Sequence, residues 1–135
     1  MTLNNKTAEV MSMERVFVLL KRKPGLTFDE FRNHYESSHA LLGEKYFGHL
    51  FASYRRNYIP SGARFDRSAG ENAYDCLTEI VFREPGGYKE LKRIASDPEV
   101  QRTLREDEER FLDRGVCANA ISEPIESDVS KTQPA

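Results

Sequence analysis

The sequence predicts an α+β domain, a four-stranded antiparallel sheet with its helices on one face. Three observations carry this. Short β-branched and apolar runs alternate with longer stretches of helical periodicity. Thr27 with Glu30, and Asp97 with Pro98, mark two helix starts. The segments then follow in the order β, α, β, β, α, β.

Residues 16–21 form a β-branched and apolar run, closed by Lys23-Pro24-Gly25, which reads as a strand ended by a turn. Thr27 and Glu30 make a capping box, in which the hydroxyl accepts from the third helical N–H and the carboxylate reaches back to the cap. This helix runs at least to Leu42, with Gly43 as a candidate end. Residues 52–59 place Tyr54, Tyr58 and Ile59 in an extended pattern until Pro60-Ser61-Gly62 stops it. Residues 60–72 have no periodicity and read as a long loop, either a lid or partner-contacting arm or a plain connection. Residues 74–82 form the third strand and 88–95 a short helix. Asp97 caps a further helix to about Leu112, with Pro98 in its first turn where a missing N–H is harmless, and 116–121 is the last strand. This βαββαβ order, with an extra break in its second helical stretch, is the ferredoxin-like split unit. A sheet covered on one side leaves its other side to be buried, and a second copy of the chain is the natural occupant, giving a homodimer through the sheet.

At 135 residues one core is expected, over residues 15–123, with 1–14 and 124–135 as flexible polar tails. Hydrophobic residues at 39% and charged residues at 31% exclude a disordered chain. A net charge of -2, with only the Arg55-Arg56 pair as a basic cluster, gives no footprint for nucleic acid. The apolar run at 16–20 is too short to span a membrane and residues 1–14 lack a signal-peptide pattern, so a cytoplasmic protein is expected. Cys76 and Cys117 match neither a disulfide framework nor a zinc site and read as reduced core residues. There is no phosphate loop and no GxSxG motif, and no cofactor is expected.

Two polar residues interrupt apolar helical stripes. Phe28, Phe31, Tyr35, Leu42 and Tyr46 share one face of the first helix, and His39 falls among them. Val100, Leu104 and Phe111 share a face of the last helix, and Asp107 projects between them. Each is either a hydrogen-bonded core group or a functional one, because burial moves the proton affinity of both types. In the third strand Glu79 alternates with Leu77 and Val81, opposite the apolar face of Cys76, Thr78, Ile80 and Phe82, and points under the sheet if that apolar face meets the helices. Tyr54, Arg56 and Tyr58 share a face of the second strand and suit an oxygenated organic ligand, with Tyr46 as a further binding residue. His34 lies off the stripe and His49 beyond Gly43, so both are expected at the surface. His34 and His39, about 140° apart on an α-helix, do not form a same-face pair, and no metal is expected.

The run 20–32, followed by Tyr35-Glu36 and His39, resembles the EthD family of the dimeric α/β barrel superfamily. Tyr54-Arg55-Arg56-Asn57-Tyr58, Tyr74-Asp75 through Thr78-Glu79, Asp97-Pro98-Glu99-Val100, Asp107-Glu108-Glu109 and Phe111-Leu112-Asp113 extend the resemblance over most of 16–123. It implies a ferredoxin-like subunit whose sheet pairs with a partner's around small, largely apolar ligands. Relatives include proteins tied to degradation of ethers and aromatics, and tautomerases, dehydratases or decarboxylases of polyketide-like ketones. More distant muconolactone isomerases carry a histidine and a tyrosine that map onto His39 and Tyr54. Leu41 stands where similar proteins often show a proline, which lets the helix continue.

The expected function is a cofactor-free lyase or isomerase that removes a proton next to a carbonyl of a small, oxygenated, hydrophobic and cyclic substrate. His39 is the general base, and Tyr54, Glu79 or Asp107 donates to the developing enolate or leaving hydroxyl. The competing class is a noncatalytic binding protein that shelters an intermediate for an oxygenase; a third is a structural dimer subunit with its strand face packed shut.

Overall fold

The computed structural model describes residues 13–60, 73–131, 133 and 134. Residues 61–72 of the loop expected at 60–72, and most of the expected N-terminal tail, lie outside the described residues. The elements are β1 (Arg15–Leu20), α1 (Phe28–His34), a π-helical turn (Tyr35–His39), α2 (Ala40–Phe47), a short 3₁₀ turn (Gly48–Leu50), β2 (Phe51–Tyr58), β3 (Cys76–Phe82), α3 (Gly87–Ala95), α4 (Pro98–Phe111) and β4 (Ala118–Ile121). The four strands form one antiparallel sheet in the order β2-β3-β1-β4, the ferredoxin-like arrangement.

Local chemistry sets the boundaries. Thr27 Oγ1 accepts from the Glu30 N–H at 3.1 Å and the Thr27 N–H donates to Glu30 Oε1 at 3.0 Å, so the expected capping box starts α1. Asp97 accepts from the N–H groups of Glu99 and Val100, and Pro98 opens α4. At the start of α3 a Cβ on Gly87 would lie 2.4 Å from the ring of Phe82, so only glycine lets this helix settle on that buried ring.

The first helix and the second strand each depart from regular register. The first helix does not end at Gly43 but runs on to Phe47, and it is not α-helical throughout. At Tyr35–His39 it widens by one residue, and the Ala40 N–H donates to the Tyr35 carbonyl, an i→i+5 closure. In β2 a bulge separates Phe51, paired with Phe82, from Ser53, paired with Val81. The extra residue turns Phe51 and Tyr54 to the same face, their rings 5.4 Å apart.

Val16, Leu20, Cys76, Thr78, Ile80 and Phe82 face the helices and are all buried. They feed two clusters. One gathers Leu20, Phe31, Tyr35, Ala40, Cys76, Phe111 and Leu112; the other gathers Val16, Phe47, Phe51, Ile80 and Phe82. By strand alternation Phe17, Leu19, Leu77, Glu79 and Val81 occupy the opposite face, where Val81 is buried and the other four are half-buried. Among the described residues no helix is long and apolar enough to cross a membrane.

Candidate active site

A cavity of about 710 Å³ lies between the two core clusters, under the helices and above the sheet. That volume suits a small organic ligand. Val16, Val18, Ile80, Phe47, Leu91 and Leu104 supply apolar walls; Tyr35, His39, Tyr54 and Thr78 supply polar atoms at one side, and Glu108, Arg114 and Asn119 at another. Strand register separates the two groups. Thr78 on β3 and Asn119 on β4 both pair with Val18, so they lie two strand spacings apart, roughly 10 Å.

His39 stands on the cavity wall with a carboxylate behind it. Its Nδ1 is 3.0 Å from Asp107 Oδ2. The other oxygen, Oδ1, accepts from Ser38 Oγ at 2.6 Å and sits 3.1 Å from His34 Nε2. Asp107 is only 5% exposed, yet these donors hold its carboxyl below the ordinary range: burial opposes ionisation, and the Ser38 hydroxyl with the two imidazoles outweighs it. An ionised acceptor fixes the proton of His39 on Nδ1 and leaves the Nε2 lone pair free for a base's work. Burial lowers the proton affinity of His39 more than Asp107 restores it, so the ring is a neutral base at neutral pH.

Three hydroxyls form a chain on the same side. Thr78 Oγ1 lies 2.8 Å from the Tyr35 hydroxyl, which lies 3.2 Å from that of Tyr54. Burial pushes Tyr54 up to about 12 and Tyr35 well above its ordinary value, so both phenols stay protonated. Gly43 gives Tyr54 its place: a Cβ there would be 3.3 Å from the Tyr54 hydroxyl. Behind Tyr54 the Arg56 guanidinium lies 4.7 Å from its ring centre and is held by both oxygens of Glu36, at 2.6 and 2.7 Å. Tyr58 also donates to Glu36.

The structure thus gathers three of the four candidate catalytic residues: His39 and Tyr54 on the wall, and Asp107 behind His39. Glu79 is elsewhere. It lies on the far face of the sheet, 3.3 Å from Arg15, so the cavity sits on the helix side and not under the sheet. Tyr46, Arg56 and Tyr58 do not line the cavity: Tyr46 packs beside Phe47, and the other two hold Glu36. Both cysteines are free, Cys76 buried and Cys117 half-buried just before β4.

His34 is a correction to the expected surface position. The π turn fits more residues into a turn than an α-helix does, so positions 34 and 39 are brought closer in angle and both rings meet Asp107. Ser38, Tyr35, Thr78, Glu108, Arg114 and Asn119 are the other site residues that periodicity missed. Tyr35 and Thr78 read as core positions, and the pair Ser37-Ser38 in mid-helix was the one local sign of irregular backbone. Among the described residues no group of three or more His, Cys, Asp or Glu side chains is arranged to hold a metal ion.

A model of the EthD domain matches residues 23–115. The dehydratase ustZ of Ustilaginoidea virens is 32% identical over 103 residues, spanning 68% of this chain and 69% of that one. Among solved structures, an ethyl tert-butyl ether D (EthD) family protein of Bacillus halodurans superposes with a TM-score of 0.55 at 18% identity, covering 84% of this chain and 100% of the other. An Arabidopsis thaliana protein superposes with a TM-score of 0.55 at 14% identity, covering 86% and 91%. These two share the fold.

Proposed function

The chain belongs to the EthD family, and from that premise we propose that it is a dehydratase whose own side chains carry the proton transfers, acting on a small, cyclic, hydrophobic β-hydroxycarbonyl compound. The observation behind this is the Asp107–His39 dyad on the wall of an apolar cavity that also presents the Tyr54 hydroxyl. His39 Nε2 takes the proton from the carbon next to the carbonyl. Charge moves onto the carbonyl oxygen, where Tyr54 donates a hydrogen bond; with Thr78 donating to Tyr35 and Tyr35 to Tyr54, the Tyr54 hydrogen is left for the ligand. The enolate then re-forms the carbonyl, the β C–O bond breaks, and the imidazolium of His39 protonates the departing hydroxide. The products are the unsaturated carbonyl compound and water.

Apolar walls suit the ring carbons, and Glu108, Arg114 and Asn119 offer partners for a second oxygen far from the reacting carbon. The sheet face opposite the helices, with Phe17, Leu19 and Leu77 half-buried, is where a second copy packs in this proposal.

The test is incubation with a panel of cyclic β-hydroxyketones in D₂O, following elimination and α-deuterium incorporation by NMR. Wild type is expected to eliminate water, and His39→Gln and Tyr54→Phe to lose about 10² to 10⁴ in rate while remaining folded. Ligands that bind but neither exchange nor eliminate overturn the enzyme in favour of a carrier; exchange without elimination makes it a tautomerase.

A further inference from the structure

We propose that His34 is a positioning residue for the base, the third member of a His34–Asp107–His39 triad that exists only because of the π turn. The inference rests on the dehydratase reading for its purpose, but not for its geometry. Asp107 has two oxygens and three donors. Ser38 and His34 share Oδ1, which commits Oδ2 to His39 alone. Phe111 sets the spacing from below, its ring 4.7 Å from that of His34 and 5.2 Å from that of His39. The carboxylate therefore cannot rotate away from His39 without giving up two hydrogen bonds on its other oxygen.

His34 also bears on charge. The groups facing the dyad are His34 and Tyr35 from its own helical stretch, Asp107 and Glu108 from α4, Tyr54 from β2, and Arg114 and Cys117 across the cavity. His34 acts against protonation of His39 and favours ionised Asp107. Its two effects are separable by substitution. Glutamine keeps a donor for Oδ1 without the imidazole ring; phenylalanine keeps a ring on Phe111 without the donor.

Long-range ¹H–¹⁵N spectra of the substrate-free protein read the tautomer and titration of His39 directly, with no turnover needed. In wild type the Nδ1–H tautomer is expected to dominate. His34→Phe should shrink that preference about tenfold, the loss expected when a charged hydrogen-bond acceptor is released. His34→Gln, which keeps a donor for Oδ1, should retain the tautomer. If His34→Phe lowers only thermal stability and leaves tautomer and titration unchanged, His34 is a packing residue and the proposal fails. Should that variant not fold, loss of the Nδ1–H tautomer in His34→Gln, which keeps a donor for Oδ1, overturns it equally. The dehydratase reading fails separately, by wild-type turnover in His39→Gln.

Discussion

Replacing Asp107 by Asn changes one atom's chemistry and sets three donors against one carbonyl. The carboxylate accepts from Ser38, His34 and His39. An amide has one acceptor oxygen and one NH₂ group. If its oxygen stays with Ser38 and His34, the NH₂ faces His39 Nδ1, and that nitrogen must become the acceptor. The proton then sits on Nε2, where the base should be. If the amide is turned, the base keeps its tautomer but the NH₂ confronts both His34 and Ser38, two donors that must reverse. The first arrangement sacrifices one hydrogen bond's direction and the second two, so the wrong tautomer is favoured. Loss of a correctly oriented base is worth about 10² to 10⁴ in rate. Releasing hydrogen bonds to a buried charged acceptor costs about 2 kcal/mol or more of stability. The pH profile supplies an independent sign. Asp107 raises the proton affinity of His39 through its hydrogen bond and its charge, against the lowering by burial. In wild type kcat/KM should fall on the acid side below pH 6.5, and residual activity of Asp107→Asn should fall at still lower pH. Initial rates across the acid and neutral range on a substrate found by the ketone panel, together with urea midpoints, measure all three. An Asp107→Asn enzyme within about twofold of wild type with an unmoved acid limb would refute the dyad.

Acid should weaken the fold in two stages. The folded pKa of His39 lies below its ordinary 6.5, so the unfolded chain takes up that proton first and stability declines as pH falls through 6.5 toward the folded value; His39→Gln should remove this stage in urea titrations. Asp107, also depressed, contributes stability that is present above 3.8 and lost as pH falls through its lower folded value. Gly43→Ala should leave the urea midpoint near wild type but reduce turnover several-fold, because its methyl group presses on the Tyr54 hydroxyl at 3.3 Å. Gly87→Ala should do the reverse, destabilising by about 1 to 3 kcal/mol as a methyl group meets the Phe82 ring at 2.4 Å; a neutral result would mean α3 can slide. If the sheet face opposite the helices packs on a second copy, wild type should have a dimer's mass by light scattering and Leu77→Glu a monomer's; a monomeric wild type, or an unchanged mass in the variant, would remove that face from assembly.

Order and type of the elements were legible because each rests on local chemistry: the Thr27 box, the Asp97-Pro98 start, the alternation in β3. The family resemblance rested on the same segments. The site was half legible. His39 and Asp107 stood out as polar residues on apolar stripes, and Phe31 and Tyr35 of the first stripe do pack against Phe111 of the second. Glu79 was equally conspicuous and lies on the other face, since alternation says which residues share a face but not which face encloses the cavity. His34 was misplaced for a sharper reason. Angular arithmetic assumes about 100° per residue throughout, and one inserted residue at Tyr35–His39 rotates everything after it.

Both irregularities fall at the cavity, one in the helix above it and one in the strand below. A regular α-helix would leave His34 and His39 about 140° apart, able to give Asp107 one imidazole but not two. A regular β2 would place Phe51 and Tyr54 on opposite faces, three residues apart on an alternating strand. Each insertion gives up ideal backbone pairing, and neither is imposed by proline. What each delivers is a polar group of the proposed chemistry: the carboxylate-held imidazole from the π turn, and the phenol beside Phe51 from the bulge. A deletion that restores regular helix within 35–39 should therefore cost turnover far more than a substitution at any exposed position of the same turn, even where it tightens the helix itself.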